Sequence, residues 1–208
     1  GDIHAFDKVW PEAINVFRNG LKQIAAPELA IKLNASLIAS GNIAEAEKMA
    51  GIWHKEHPKD VAFRMYQGDR AIGQKNFAQA VNHYQAALDI QPNNALILNN
   101  LAWASGQTKS PKALDFAEKA NQLAPNQPAF MDTLAMLLAD KGETAKAVEL
   151  LRKALSTAPQ ASAIQLNLAK ILIASGKKDE ARKELDALAK MGDKFPSHAE
   201  VSQLLKSL

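Results

Sequence analysis

Among the 208 residues of this chain, the side chains best suited to chemistry are five histidines, two of which stand three apart in Trp53-His54-Lys55-Glu56-His57. On a helix this spacing puts both imidazoles on one face. Zinc hydrolases space their histidines differently, however, and no third ligand is apparent here. The pair therefore reads as polar residues at a helix end, and His4, His83 and His198 stand alone. Gly176-Lys177 has the ending of a phosphate-binding loop, but Ile171 occupies the place of its first glycine and Lys178 that of the magnesium-binding hydroxyl. Asp115 and Glu118 form an acid pair on an outer helix face, with no pocket to act in. The chain has no cysteine, which removes disulfides and thiolate chemistry. No catalytic residue, metal or cofactor is expected, and the chain does not read as an enzyme.

Charge narrows the partners. The formal net charge is +3, and from Lys177 to Lys194 the basic residues are interleaved with acids. A surface that tracks phosphates needs one sign gathered on a face, so nucleic acid is not an expected partner. No apolar run approaches the roughly 18 residues of a membrane span, and no signal peptide precedes the first helix. A cysteine-free chain suits the cytosol and the periplasm equally. With Gly1 in place of an initiator methionine and a repeat frame that opens mid-unit, the chain reads as a piece of something longer.

The elements that position these residues follow from a period. Pro58, Pro92, Pro125 and Pro159 are separated by 34, 33 and 34 residues, a spacing that implies stacked supersecondary units. With these prolines at position 32 of a 34-residue unit, position 20 reads Ala46, Ala80, Ala113, Ala147 and Ala181. Position 7 reads Leu33, Gln67, Leu101, Leu134 and Leu168, and position 8 reads Asn34, Gly68, Ala102, Ala135 and Ala169. Positions 4, 7, 8 and 11 share one face of a first helix, and 20, 24 and 27 one face of a second. Small residues at 8 and 20 let the two backbones approach, while larger ones fill the space between neighbouring pairs. Each unit is a helix hairpin that cannot bury its apolar face alone.

Turn chemistry agrees with this register. Pro58-Lys59-Asp60 and Pro92-Asn93-Asn94 place an Asp or Asn as N-cap of the next helix. Gly41, Gly142 and Gly176 occupy position 15, where the first helix ends and the chain reverses. Ser110-Pro111 reads as a cap followed by proline at the first helical position. Units run over 27–60, 61–94, 95–127, 128–161 and 162–195. Before them lies a lone second helix from about Trp10 to Ile24, with Ala13, Phe17 and Gly20 at positions 20, 24 and 27. Its partner would precede Gly1 or occupy Asp2 to Lys8. After Phe195-Pro196-Ser197, a last helix with Val201, Leu204 and Leu205 covers the apolar end as a cap.

The pattern resembles the tetratricopeptide repeat. The motif is met by Gly68, Ala80, Tyr84, Ala87 and Pro92 in the second full unit, and by Leu134, Ala135, Gly142, Ala147, Leu151, Ala154 and Pro159 in the fourth. The aromatic residue usual at position 4 is missing throughout, and position 11 is Ala71 or Ser105 in two units. The resemblance implies an all-α fold, a single right-handed superhelical solenoid over 1–208, and a concave surface lined by positions 2, 5, 6, 9, 12 and 13 of each first helix.

Those positions supply a candidate partner-binding groove: Tyr66, Asp69, Asn99, Asn100, Trp103, Asp132, Thr133, Met136, Asn167 and Lys170, with Lys32 and Met65 beside them. Asparagines at position 6 donate and accept toward an extended backbone, and the mixture of apolar and polar groups suits a peptide segment. Trp103 also offers a face on which polysaccharide can stack. The carboxylate clamp of chaperone-binding repeats is not met, because position 5 reads Ile31, Met65, Asn99, Asp132 and Leu166.

Residues 95–208 carry a closer likeness. Leu98-Asn99-Asn100-Leu101-Ala102-Trp103, Ala117-Glu118-Lys119-Ala120 with Leu123-Ala124-Pro125-Asn126, and Asp132-Thr133-Leu134-Ala135 are similar to the C-terminal repeats of bacterial lipoproteins of PEP-CTERM sorting and exopolysaccharide production. That likeness implies a scaffold outside the cytoplasm, periplasmic or tethered to the outer membrane by a lipidated cysteine upstream of this segment. A second reading makes the chain the recruiting arm of an enzyme such as a glycosyltransferase. Asparagines at position 6 resemble those of such arms, but Lys32, Tyr66 and Thr133 interrupt the ladder.

Overall fold

A computed structural model describes the backbone of residues 2–208 and the side chains from Trp10 onward; the expectations for Gly1 and His4 lie outside the described residues. Among the described residues all regular structure is helical. The chain divides into two compact units, Gly1–Pro92 and Asn93–Leu208.

The first unit contains α1 (Asp2–Gln23), α2 (Pro27–Ala39), α3 (Ile43–Glu56), α4 (Val61–Gly73) and α5 (Phe77–Ile90). Helices α2 and α3 form one hairpin and α4 and α5 the next. Asp60 caps α4, its Oδ1 accepting from the Phe63 amide at 3.1 Å, while its Oδ2 takes the Trp53 indole N–H at 2.6 Å. One carboxylate thus satisfies an orphan helix donor and a buried indole. The core runs through Ile14, Leu33, Leu37 and Ala46, then through Ala30, Ala50, Trp53 and Phe63.

Gly68 explains the closest approach in this unit. A Cβ there would lie 2.3 Å from the Tyr84 ring, which is 2% exposed and donates its hydroxyl to Asp69 Oδ1 at 2.7 Å. Only a residue without a side chain lets the ring approach α4 this closely.

The second unit contains α6 (Ala95–Gln107), α7 (Ala113–Leu123), α8 (Pro128–Asp140), α9 (Thr144–Thr157), α10 (Ser162–Ala174) and α11 (Lys178–Ala189). A 3-10 turn at Gly192–Lys194 leads to α12 (His198–Ser207). Asn94 caps α6, accepting from the amides of Leu96 and Ile97 at 3.1 and 3.2 Å. Every alanine expected at position 20, from Ala46 to Ala181, is buried. Val201 of α12 is wholly buried with Leu166, Ala169, Leu185, Leu188 and Phe195, so α12 closes the apolar face of the last hairpin.

Two local expectations are corrected. Helix α1 is continuous from Asp2 to Gln23 despite Pro11, so residues 2–8 extend it and do not form a separate partner helix, and among its described side chains Ile14, not Ala13, is buried. Helix α7 begins at Ala113 with Lys112 at its N-cap position. Ser110 and Pro111 therefore precede the helix in a turn, where the Ser110 hydroxyl accepts from the Lys112 amide at 3.4 Å. The glycines at position 15 have positive φ, +83° at Gly41 and +84° at Gly142; Lys75 and Lys109 adopt +57° and +55° in the units that lack glycine there.

Candidate functional site

In the first unit the expected groove residues lie on α4. Tyr66 is half-buried, its ring 5.7 Å from that of Phe63, and its hydroxyl donates to Asn34 Oδ1 at 3.1 Å. Asn34 is fully buried and donates in turn to the Ala46 carbonyl at 2.8 Å. Tyr66 thus ends a hydrogen-bonded chain that ties α4 to the preceding hairpin, and burial pushes its phenol above the usual range. Asp69 is exposed and anchors Tyr84. Lys32 holds its ammonium 6.0 Å above the Phe17 ring.

In the second unit the expected residues separate by burial. Asn99 is 9% exposed, and its Nδ2 makes a long 3.4 Å bond to Asn100 Oδ1, while its own Oδ1 is shielded from solvent without a hydrogen-bond partner. The Thr133 hydroxyl turns back to the Ala129 carbonyl at 3.1 Å, a common resting place for a hydroxyl within a helix. Lys170 forms an ion pair with Glu200 of α12 at 2.6 Å.

Five of the expected residues do converge. Trp103 of α6, Asp132, Thr133 and Met136 of α8 and Asn167 of α10 line a recess of about 190 Å³, joined by Gln107 and Asp140. Asn167 Nδ2 donates to both Asp132 oxygens, at 2.9 and 3.1 Å, across 35 residues of sequence. Burial raises the Asp132 carboxyl above the ordinary range, and the Asn167 amide pulls it the other way. Trp103 remains 39% exposed. No basic side chain lines the recess. An indole, a thioether and two carboxylates together suit a cationic or hydrogen-bond-donating side chain flanked by apolar contact. Gln107 and Asp140 were missed as individual residues, although both occupy position 13, one of the columns assigned to the groove.

The histidines arrange themselves against expectation. His57 lies just outside α3, with its ring 3.9 Å from that of Trp53. His54 points elsewhere: its Nε2 meets Gln67 Oε1, and its ring stacks 6.4 Å from that of His83. His83, expected to stand alone, is half of the pair. Among the described residues no group of three potential ligands is placed to hold a metal ion.

Antiparallel helix hairpins repeated along the chain define a helical repeat protein. Residues 138–208 match a model of the tetratricopeptide repeat, and residues 68–107 match a TPR repeat model; the chain is a tetratricopeptide-repeat protein. Among curated proteins none matches the sequence. Solved structures share the fold. A thermophilic repeat protein of Thermus thermophilus is 18% identical, with a TM-score of 0.68 over 86% of this chain and 99% of its own. PilF of Pseudomonas aeruginosa is 16% identical, with a TM-score of 0.68 over 96% of both chains. YrrB, a repeat protein described as having an unusual peptide-binding site, is 16% identical, with a TM-score of 0.67 over 94% of this chain and all of its own.

Proposed function

We propose that this chain is a non-catalytic scaffold that binds a protein segment, with the recess beside Trp103 receiving a basic side chain of that segment. The recess carries the reading: Asp132 and Asp140 present negative charge with no lining cation, while Trp103 and Met136 supply adaptable apolar contact. A guanidinium or ammonium there gains charge-assisted hydrogen bonds and a cation–π contact together. It also gives the raised Asp132 carboxyl a counter-charge that favours its ionised form. The peptide-binding site ascribed to YrrB is in keeping with this use of the fold.

The runs from Leu98 to Trp103 and from Asp132 to Ala135 support a more particular reading. In it the intact protein is an extracytoplasmic lipoprotein of a bacterial exopolysaccharide and PEP-CTERM sorting system, and the bound segment belongs to another component of that system. The test of this placement is the sequence encoded upstream of Gly1: a signal peptide ending in a lipidation cysteine is the expected finding, and an upstream sequence without one would overturn it.

Binding is tested by isolating a partner with the folded chain and comparing Trp103→Ala, Asp132→Asn and Met136→Ala with the exposed control Lys183→Ala. Each recess variant is expected to weaken binding by about 1–3 kcal/mol, with the control unchanged. Loss of binding in the control but not in the folded recess variants places the partner elsewhere.

A further inference from the structure

One hairpin junction of the first unit is polar where its counterpart is apolar. Around α9 and α10, the columns at positions 28, 7, 10 and 11 are filled by Leu155, Leu168, Ile171 and Leu172, all part of one apolar cluster. Around α3 and α4 the same columns read His54, Gln67, Arg70 and Ala71, and position 23 of α5 adds His83. The substitution of short or polar side chains for leucine and isoleucine opens a recess of about 420 Å³ between α3, α4 and α5. It shares no residue with the recess beside Trp103.

We propose that this recess is a binding site for an oxyanion, a carboxylate or a phosphate-like group, held by Arg70, His54 and His83. One donor is present and lacks an acceptor: Arg70 Nε is shielded from solvent with no hydrogen-bond partner, and His54 Nδ1, which becomes a donor on protonation, is likewise shielded and unpartnered. Burying an N–H without an acceptor is unfavourable, and an oxyanion in the recess supplies one. With Gln67 Oε1 accepting at Nε2, protonation of His54 places the new N–H at Nδ1, the atom that lacks a partner. Gln74 and Gln79 line the same space and add amide donors.

The charged groups around the imidazoles set the proton linkage. From α3, Glu47 lines the recess; from α4, Arg70 lines it and Arg64 lies close enough to repel both rings; Asp60, at the start of α4, attracts His54. Burial first holds both histidines below the usual imidazole range; Arg64 adds to this at His54 against the Gln67 hydrogen bond, and His54, Arg64 and Arg70 add to it at His83. An anion reverses that balance, so binding draws protons onto His54 and His83 and strengthens as pH falls.

The test uses the whole chain and follows the imidazole resonances of His54 and His83. Sulfate, whose charge is constant over the range, stands for the tetrahedral ligand and acetate for the carboxylate, with chloride at matched ionic strength as control. Sulfate or acetate is expected to move both resonances saturably, to raise both titration midpoints, and to bind at least about tenfold more tightly near pH 5.5 than near pH 7.5. The more effective of the two anions identifies the geometry of the natural group. Arg70→Gln should abolish saturation, and His83→Gln should weaken binding and flatten its pH dependence. An equal response to chloride, no saturable shift, or wild-type binding by folded Arg70→Gln overturns the proposal.

Discussion

At the scale of the residue, two side chains show how neighbours decide what a position tolerates. Gly68 exists for the Tyr84 ring, which a Cβ would approach to 2.3 Å. Because that ring is buried and its hydroxyl is held by Asp69, it has little room to yield. Gly68→Ala is therefore expected to lower stability by about 1–3 kcal/mol in urea unfolding, and an unchanged midpoint would show that the ring moves aside freely. Asp132 is the second case. Its carboxyl is raised by burial, so protonation favours the folded state. That stabilisation is complete below the unfolded carboxylate value and is lost as pH rises through the higher folded value. Asp132→Asn should accordingly match or exceed the parent in stability at neutral pH, with the difference shrinking in acid. A variant that is less stable at neutral pH by more than its acid-side difference would refute this sign.

At the scale of the element, the turn inside each hairpin needs one residue in the left-handed region. Gly41, Gly142 and Gly176 meet that need without a steric penalty, whereas Lys75 and Lys109 meet it with a Cβ in place. The strain of a non-glycine residue there exceeds the extra chain entropy of glycine. Lys109→Gly is expected to stabilise the α6–α7 hairpin by about 0.5–1 kcal/mol, read as a higher denaturation midpoint. Destabilisation would mean that the lysine side chain makes a contact of greater value than its strain. Helix caps follow the same local logic, since Asp60 and Asn94 each satisfy amides of the turn that follows them.

At the scale of the whole molecule, a repeat protein is held by contacts between neighbours, so damage propagates only as far as adjacent hairpins support one another. Val201 is wholly buried beneath α12. Val201→Asp places a charge in that contact and should release α12, exposing Leu185 and Leu188. Hydrogen exchange should then lose protection in α10 and α11 while α4 and α5 remain protected. A uniform loss along the chain would show a single cooperative unit in place of a chain of nearest-neighbour contacts.

What the sequence determined by itself was the period and everything local to it. Small residues at positions 8 and 20 declared which helix faces meet, and the prolines with Asp60 and Asn94 marked the turns; these are properties of i, i+3 and i, i+4 spacing and of caps within one chain segment. The columns that supply the recess beside Trp103 follow from the same spacing, down to the position shared by Gln107 and Asp140. Tertiary structure alone decided which of those side chains are committed: Tyr66 to Asn34, Thr133 to its own helix, Asn167 to Asp132. It also separated His54 from His57, because His57 falls beyond the last helical residue and stacks on Trp53, leaving His54 to face His83 from the next hairpin. Helical spacing governs neighbours on one helix. Partners about one repeat apart, such as His54 and His83, are chosen by how the hairpins cross and by which rotamers the packed interior permits.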